Sequence, residues 1–184
     1  MKKLFALILA ALMVLGCVAV ASAEQAQTLQ LNWEEYAAEI EASEEAKATL
    51  AGDFVTMEEI ALKLYIPAAF EQAELTDEDR EDGYIAYFTM GEDMGIGIQY
   101  VDADGMSLEE YAQRLTEDGI ECTNAVVNGL PALAYSFTED DRETAVLAFS
   151  TEKGYILEIS FVPANDKGFA AVATVVMASV QAAE

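Results

Sequence analysis

Apolar and polar residues alternate along this chain with two different periods, and the changes of period mark its elements. Residues 32–48, NWEEYAAEIEASEEAKA, carry Trp33, Tyr36, Ala37 and Ile40 at helical spacing, with glutamate over most of the opposite face. Asn32 is placed to cap this helix, and Glu34 and Glu35 fall in the first turn, where acids suit the helix dipole. Gly52 breaks the pattern. From there the period drops to two. Leu62, Leu64 and Ile66 alternate with Lys63 and Tyr65 up to Pro67. After an acidic loop, ELTDEDREDG, the β-prone run YIAYFTM spans Tyr84 to Met90. Ile96, Ile98 and Tyr100 then alternate against Gly95, Gly97 and Gln99, as in a strand with one side on a core.

The tetrad DADG at 102–105 turns the chain into a second helix. Ser107 with Glu110 matches a capping box, Leu108, Tyr111, Ala112 and Leu115 line one face, and Gly119 is the stop. Asn128-Gly129, flanked by Val126-Val127 and by Leu133, Tyr135 and Phe137, is the favoured pair for a tight hairpin. Pro131 so close to that turn predicts an edge position or a bulge. TAVLAFS and YILEISFV form a further hairpin across TEKG, with Tyr155, Leu157, Ile159 and Phe161 on one side against Glu158 and Ser160. Asn165 or Asp166 caps a last helix in which Phe169, Val172, Val176 and Val180 recur every three or four residues. The order helix, strands, helix, strands, helix, with consecutive hairpins, predicts an α+β fold: an antiparallel β-sheet packed against helices, with an N-terminal helix.

The start of the chain obeys different rules. Lys2 and Lys3 precede an uncharged run from Leu4 to Val20, and Ala21-Ser22-Ala23 supply the small residues of a cleavage site. Residues 1–23 are expected to be a signal peptide, 24–52 an N-terminal helical segment and 53–184 the α+β domain. Cys17 follows Val14-Leu15-Gly16, which resembles a lipobox, but bulky Leu15 and the continuing apolar run Val18-Ala19-Val20 favour free secretion over lipid attachment. Cleavage after Ala23 discards Cys17 and leaves Cys122 as the one cysteine, which excludes an intramolecular disulfide.

Charge narrows the partners. The nine basic residues less Lys2 and Lys3 are seven, against 34 acidic ones, a net charge of about −27 for the exported chain, with no histidine. Such a surface repels nucleic acid and anionic membranes and keeps an exported protein monomeric. Cations, basic proteins and basic peptides stay compatible.

VNGLPALAYSF, TAVLAFSTEKGYILEISFVPANDKGF and the final VVMASVQ together resemble the PsbP-like fold, over about residues 54 to 182. That fold is shared by extrinsic photosystem proteins, a Ran-binding nuclear import factor and many exported bacterial proteins. Its pattern is a turn glycine before a strand, a long hairpin, and a C-terminal helix ending in a short S-[IV]-[QK]-like stretch. The counterparts here are Gly129, Tyr155 to Phe161, and Ser179-Val180-Gln181. The resemblance implies binding or accessory work and carries no catalytic motif to this chain.

The residues themselves point the same way. Without histidine there is no Ser-His-Asp or Cys-His set, no histidine base and no mixed His/Cys zinc site. Gly91, Gly95 and Gly97 miss the dinucleotide fingerprint spacing and are expected to allow close packing or a bulge. A carboxylate pair for a hydrolase is inevitable among so many acids and identifies nothing. DADG fails as an EF-hand because Tyr100 and Tyr111 fall at the first and twelfth positions. Asp77, Asp79 and Asp82 in the acidic loop 77–82 remain a loose cation site, against the plainer reading of a solvated loop. Cys122, with no basic residue nearby in sequence, is expected to be a partly buried thiol. Trp33, Tyr36 and Ile40 are expected to dock the first helix, a partner-binding aromatic face being the alternative. No catalytic, metal or cofactor residue is assigned. The expected function is a secreted, non-enzymatic domain that binds a protein, peptide or small ligand. The alternatives are a hydrolase with paired carboxylates and a weak calcium-dependent surface protein.

Overall fold

The structure, a computed structural model, describes residues 28–151 and 154–183; the leader, its cleavage site and Cys17 lie outside them. β1 (Leu29–Leu31) precedes helix α1 (Trp33–Glu41) and α2 (Glu44–Thr49). β2 (Gly52–Met57) and β3 (Leu62–Pro67) follow, joined across a 3-10 turn at Glu58–Ile60. Then come β4 (Glu71–Gln72), α3 (Asp77–Glu81), β5 (Tyr84–Met90), β6 (Met94–Val101) and α4 (Leu108–Glu117). β7 (Cys122–Val127), β8 (Leu130–Glu139), β9 (Arg142–Ser150), β10 (Ile156–Val162), α5 (Lys167–Ser179) and β11 (Gln181–Ala182) complete the order. The large sheet has eight strands, β1-β7-β8-β9-β10-β6-β5-β4, and a small sheet pairs β11-β3-β2. Every pairing is antiparallel except the short β1–β7 contact. Among the described residues, no helix is long and apolar enough to cross a membrane.

Register divides the large sheet into two unlike faces. Ala134, Leu147, Ile159, Ile98 and Ala86 stand side by side across β8-β9-β10-β6-β5, and all are buried. This face packs in one hydrophobic cluster with α5 and with Leu64 and Ile66 of the small sheet. The helix α5 is apolar nearly all round, and from Phe169 onward almost every residue is buried, the burial its composition demands. The opposite face carries Leu133, Tyr135, Val146, Ala148 and Ile156, covered by Tyr111 and Leu115 of α4. The Ser107–Glu110 capping box that starts α4 is formed in both directions, and Gly119 follows the helix with φ +85°.

Two side chains fasten the layers. Asn128, at φ +48° in the β7–β8 turn, accepts from the Trp33 amide at 2.8 Å. It also donates to the carbonyls of Ala178 at 2.7 Å and Val180 at 2.8 Å. It therefore ties the start of α1 to the end of α5. The fully buried Ser179 accepts from the Tyr65 amide of β3 and donates to Val176 O, both at 2.7 Å, and Gln181 next to it pairs with Lys63. The stretch Ser179-Val180-Gln181 is thus the seam between α5 and the small sheet.

The sequence expectations change at several points. The helix expected through residue 48 is two helices, because Ser43 takes extended backbone and its hydroxyl caps α2 at the Ala46 amide. Within 24–52, Leu29–Leu31 forms an edge strand that periodicity over three residues could not announce. β2 was equally silent, since its residues are mostly half-exposed or exposed. The acidic loop contains α3, capped by Thr76. Pro131 lies in an interior strand, yet β8 pairs with β9 only from Leu133 onward, so the proline stands where that ladder has ended. Tyr155 does not join Leu157 in the core; it is 41% exposed and stacks at 5.8 Å on Tyr100.

Candidate functional site

Glu158 alternates with the apolar positions of β10, yet it is only 5% exposed. Across β9-β10-β6-β5 it belongs to a row Ala148, Glu158, Gln99, Tyr84; the next row runs Val146, Ser160, Gly97, Tyr87. Tyr111 of α4 donates its hydroxyl to Glu158 Oε1 at 2.7 Å, Tyr135 donates to the same oxygen, and Gln99 Nε2 reaches Oε2 at 3.2 Å. A carboxylate taken out of water is tolerable only with its lone pairs engaged, and here two phenols and an amide engage them. Burial and then the adjacent carboxylate push both phenols up, well above the usual tyrosine range, so they serve as fixed donors. The group closes over itself.

Next to Glu158 the helix cover ends. α4 lies over the β7-β8-β9 part of the face, whereas Gln99, Tyr84, Tyr87 and Ser160 are half-exposed. The glycines of β6 explain what sits there. A Cβ on Gly97 would fall 2.6 Å from Ser160 Oγ and 3.0 Å from Tyr84 Cε1, and one on Gly95 would strike the Tyr87 hydroxyl and ring. The expected close packing is therefore specific: the missing side chains let two tyrosines lie down on the sheet. Their rings meet edge to face, centroids 6.2 Å apart and planes at 86°. They form one wall of an open cleft of about 330 Å³, closed by Ala73, Glu74 and Leu75 from the β4–α3 connection and by Asp79 of α3. Burial, then Tyr87 and the carboxylates of Asp82, Asp79 and Glu158, raise the Tyr84 phenol.

The acids expected as a loose cation site are placed otherwise. Asp79 accepts from the Thr76 amide at 2.7 Å and its hydroxyl at 2.6 Å, completing a capping box. The hydroxyl and then the amide hold its carboxyl below the ordinary range. Asp77 is exposed on α3, and Asp82 follows at its C-cap. Among the described residues, no group of three or more Asp, Glu or Cys side chains converges on a point where a metal would sit. Cys122 is half-buried at the start of β7, and burial raises its thiol. Tyr36 is buried in the main core, while Trp33 rests on Phe54 and Tyr65 of the small sheet at 5.3 and 5.1 Å.

A second cleft of about 400 Å³ opens between the sheets, where β8 and β9 part beside Pro131. Ile60, Leu62, Tyr100, Phe149 and Leu157 line it, and every lining residue is uncharged.

No protein-family model and no curated protein matches the sequence. Among solved structures, the solution structure of cyanobacterial PsbP (CyanoP) from Synechocystis sp. PCC 6803 is similar, with a TM-score of 0.52 and 8% identity. It covers 72% of this chain and 93% of that one. A crystal structure from Bacteroides thetaiotaomicron VPI-5482 covers 72% of this chain and 49% of that one, at 16% identity and a TM-score of 0.48. The first likeness lies in the course of the backbone and not in shared residues. The chain has the PsbP-like α+β fold.

Proposed function

We propose that this chain works outside the cytoplasm, after removal of residues 1–23, as a monomeric, non-catalytic binding domain whose ligand or partner docks at the tyrosine cleft. The observation that carries the reading is the pairing of an occupied carboxylate with an open aromatic wall. Glu158 has its oxygens held by Tyr111, Tyr135 and Gln99, while Tyr84 and Tyr87 beside it stay accessible. A hydrolase using paired carboxylates needs one acid kept protonated by its surroundings. In this cleft Asp79 moves the other way, held down by the Thr76 hydroxyl and amide. The fold likeness supports an accessory role by analogy alone.

The test is capture from the producing cell's envelope and medium at physiological salt, with the purified protein and its Tyr87→Ala variant as paired baits. A stoichiometric partner retained by the first and lost by the second supports the reading. Saturable turnover of any substrate that disappears on replacing Glu74 or Asp79 would sink it, and so would a partner held equally by both baits.

A further inference from the structure

We propose that the group taken by the cleft between β5 and the β4–α3 connection is an alkylammonium, held against the rings of Tyr84 and Tyr87 with Glu74 at the rim. This deepens the binding reading above and rests on it. In an edge-to-face pair one ring's edge covers part of its partner's face, so a cation in the cleft is offered the ring faces that this contact leaves uncovered. The tyrosines stand at 86° and are seated by Gly95 and Gly97, so the wall is built into the strand and does not depend on loop conformation. Ala73 and Leu75 give the remaining wall an apolar surface suited to methyl or methylene groups.

Charge on every side favours the same occupant. Glu74 and Asp79 are in the lining, Asp82 lies just past α3, and Glu158 is one residue away across Gln99. Arg80, the neighbour of Asp79 on α3, is turned to the Leu75 carbonyl at 3.5 Å, and no basic residue is in the lining. Asp79 Oδ2 is already taken by the Thr76 amide and hydroxyl, and exposed Glu74 can follow the ligand. An anion meets Glu74 and Asp79 in the lining, with no basic side chain there to offset them. A neutral ligand of the same shape keeps the apolar contact and forfeits the cation–π and Coulomb terms.

The deciding comparison sets choline against 3,3-dimethylbutanol, its neutral carbon isostere, with N-acetyl-lysine methylamide as a second cation, at constant ionic strength. Binding is followed through the ring resonances of Tyr84 and Tyr87 in the purified protein. Saturable shifts for at least one cation, with the alcohol at least tenfold weaker, are expected. Which cation is tighter separates a quaternary headgroup from a lysine side chain as the natural source. Glu74→Gln, on an exposed residue, should weaken the cation about threefold or more and leave the alcohol unchanged; Tyr87→Leu should weaken the cation about tenfold. Equal binding of alcohol and cations would overturn the ammonium assignment and leave the cleft a binding site. Absence of any saturable shift at Tyr84 and Tyr87, together with a captured partner indifferent to Tyr87→Ala, would overturn both.

Discussion

Replacing Asn128 tests whether one side chain joins three layers of the fold. Its amide makes three hydrogen bonds of 2.7–2.8 Å, to Trp33 N, Ala178 O and Val180 O, over sequence separations of 50 to 95 residues. At about 1 kcal/mol net for each neutral bond, Asn128→Gly should cost about 3 kcal/mol, with no backbone strain because glycine accepts φ +48°. Asn128→Ala loses the same bonds and adds the left-handed penalty of about 1–2 kcal/mol, so it should cost about 4–5 kcal/mol. Asn128→Asp keeps the acceptor for Trp33 but sets a carboxylate against two carbonyls, and it should be no better than the glycine variant. For a domain of this size each kcal/mol moves the melting temperature by about 2–4 °C, so glycine should lower it by about 6–12 °C. Urea unfolding followed by Trp33 fluorescence reads the series directly. If glycine and alanine variants both lose less than about 1 kcal/mol, the turn does not fasten α1 to α5 and the reasoning fails.

The same structure sets other outcomes. Burial, Glu39 and Glu35 push the Tyr36 phenol up to about 12, and burial with Glu158 raises Tyr111 and Tyr135 further. Phenols raised in the folded state contribute stability that is intact below about pH 10 and lost as pH climbs through the folded values. Absorbance titration should show these three ionising only with alkaline unfolding, and their ionisation in the native protein would contradict the burial. At the acid end, Asp79 and Glu110 are held below their ordinary values of 3.8 and 4.5 by the Thr76 and Ser107 caps. Their contribution is present above those values and disappears as pH falls through the depressed ones. Asp79→Asn and Glu110→Gln should therefore flatten the loss of urea resistance as pH falls from 4.5 through the depressed values. Gly97→Ala should destabilise by about 1–3 kcal/mol, and Ser160→Gly should recover part of it by removing the Oγ 2.6 Å from the new methyl. Equal stability of Gly97→Ala and the native protein would mean the tyrosines are not seated there.

Most elements were legible because burial on one face imposes a period. Tyr84–Met90 reads as a strand through its own composition, and Ser107 with Glu110 announces α4 through a reciprocal bond between neighbours in sequence. β1 and β2 were not legible, for the opposite reason: three residues hold too little pattern, and β2 has mostly exposed positions. The split at Ser43 was hidden because a new cap leaves the spacing of the apolar stripe almost unchanged. The candidate site was the least legible part. Glu158 alternates with Leu157 and Ile159 as a solvent-facing residue should, and only the long-range arrival of Tyr111 and Tyr135 turns that position into a buried one. What the sequence did offer was Gly95-Ile-Gly97, two missing side chains on one face of a strand. That pattern asks what lies on top, and the answer is 13 and 8 positions back, at Tyr84 and Tyr87.

Gly129 and Ser179-Val180-Gln181, which carried part of the resemblance, lie away from the cleft, whereas Glu158 and Ser160 of the Tyr155–Phe161 run stand beside it. Gly129 and Ser179-Val180-Gln181 work on the side of α5 and the small sheet, where a hairpin turn, a buried hydroxyl and a short strand must meet in one geometry. On that side Asn128 and Ser179 each bind groups distant in sequence. The cleft side makes fewer demands. Beyond the reach of α4, its tyrosines answer to two glycines and one serine, and Glu74 to solvent. At 8% identity the likeness to the cyanobacterial structure is one of backbone course alone, and it leaves the chemistry of the cleft unspecified. A partner cannot be carried over from the fold to this chain. It has to be sought with probes that distinguish charge from shape at Tyr84 and Tyr87.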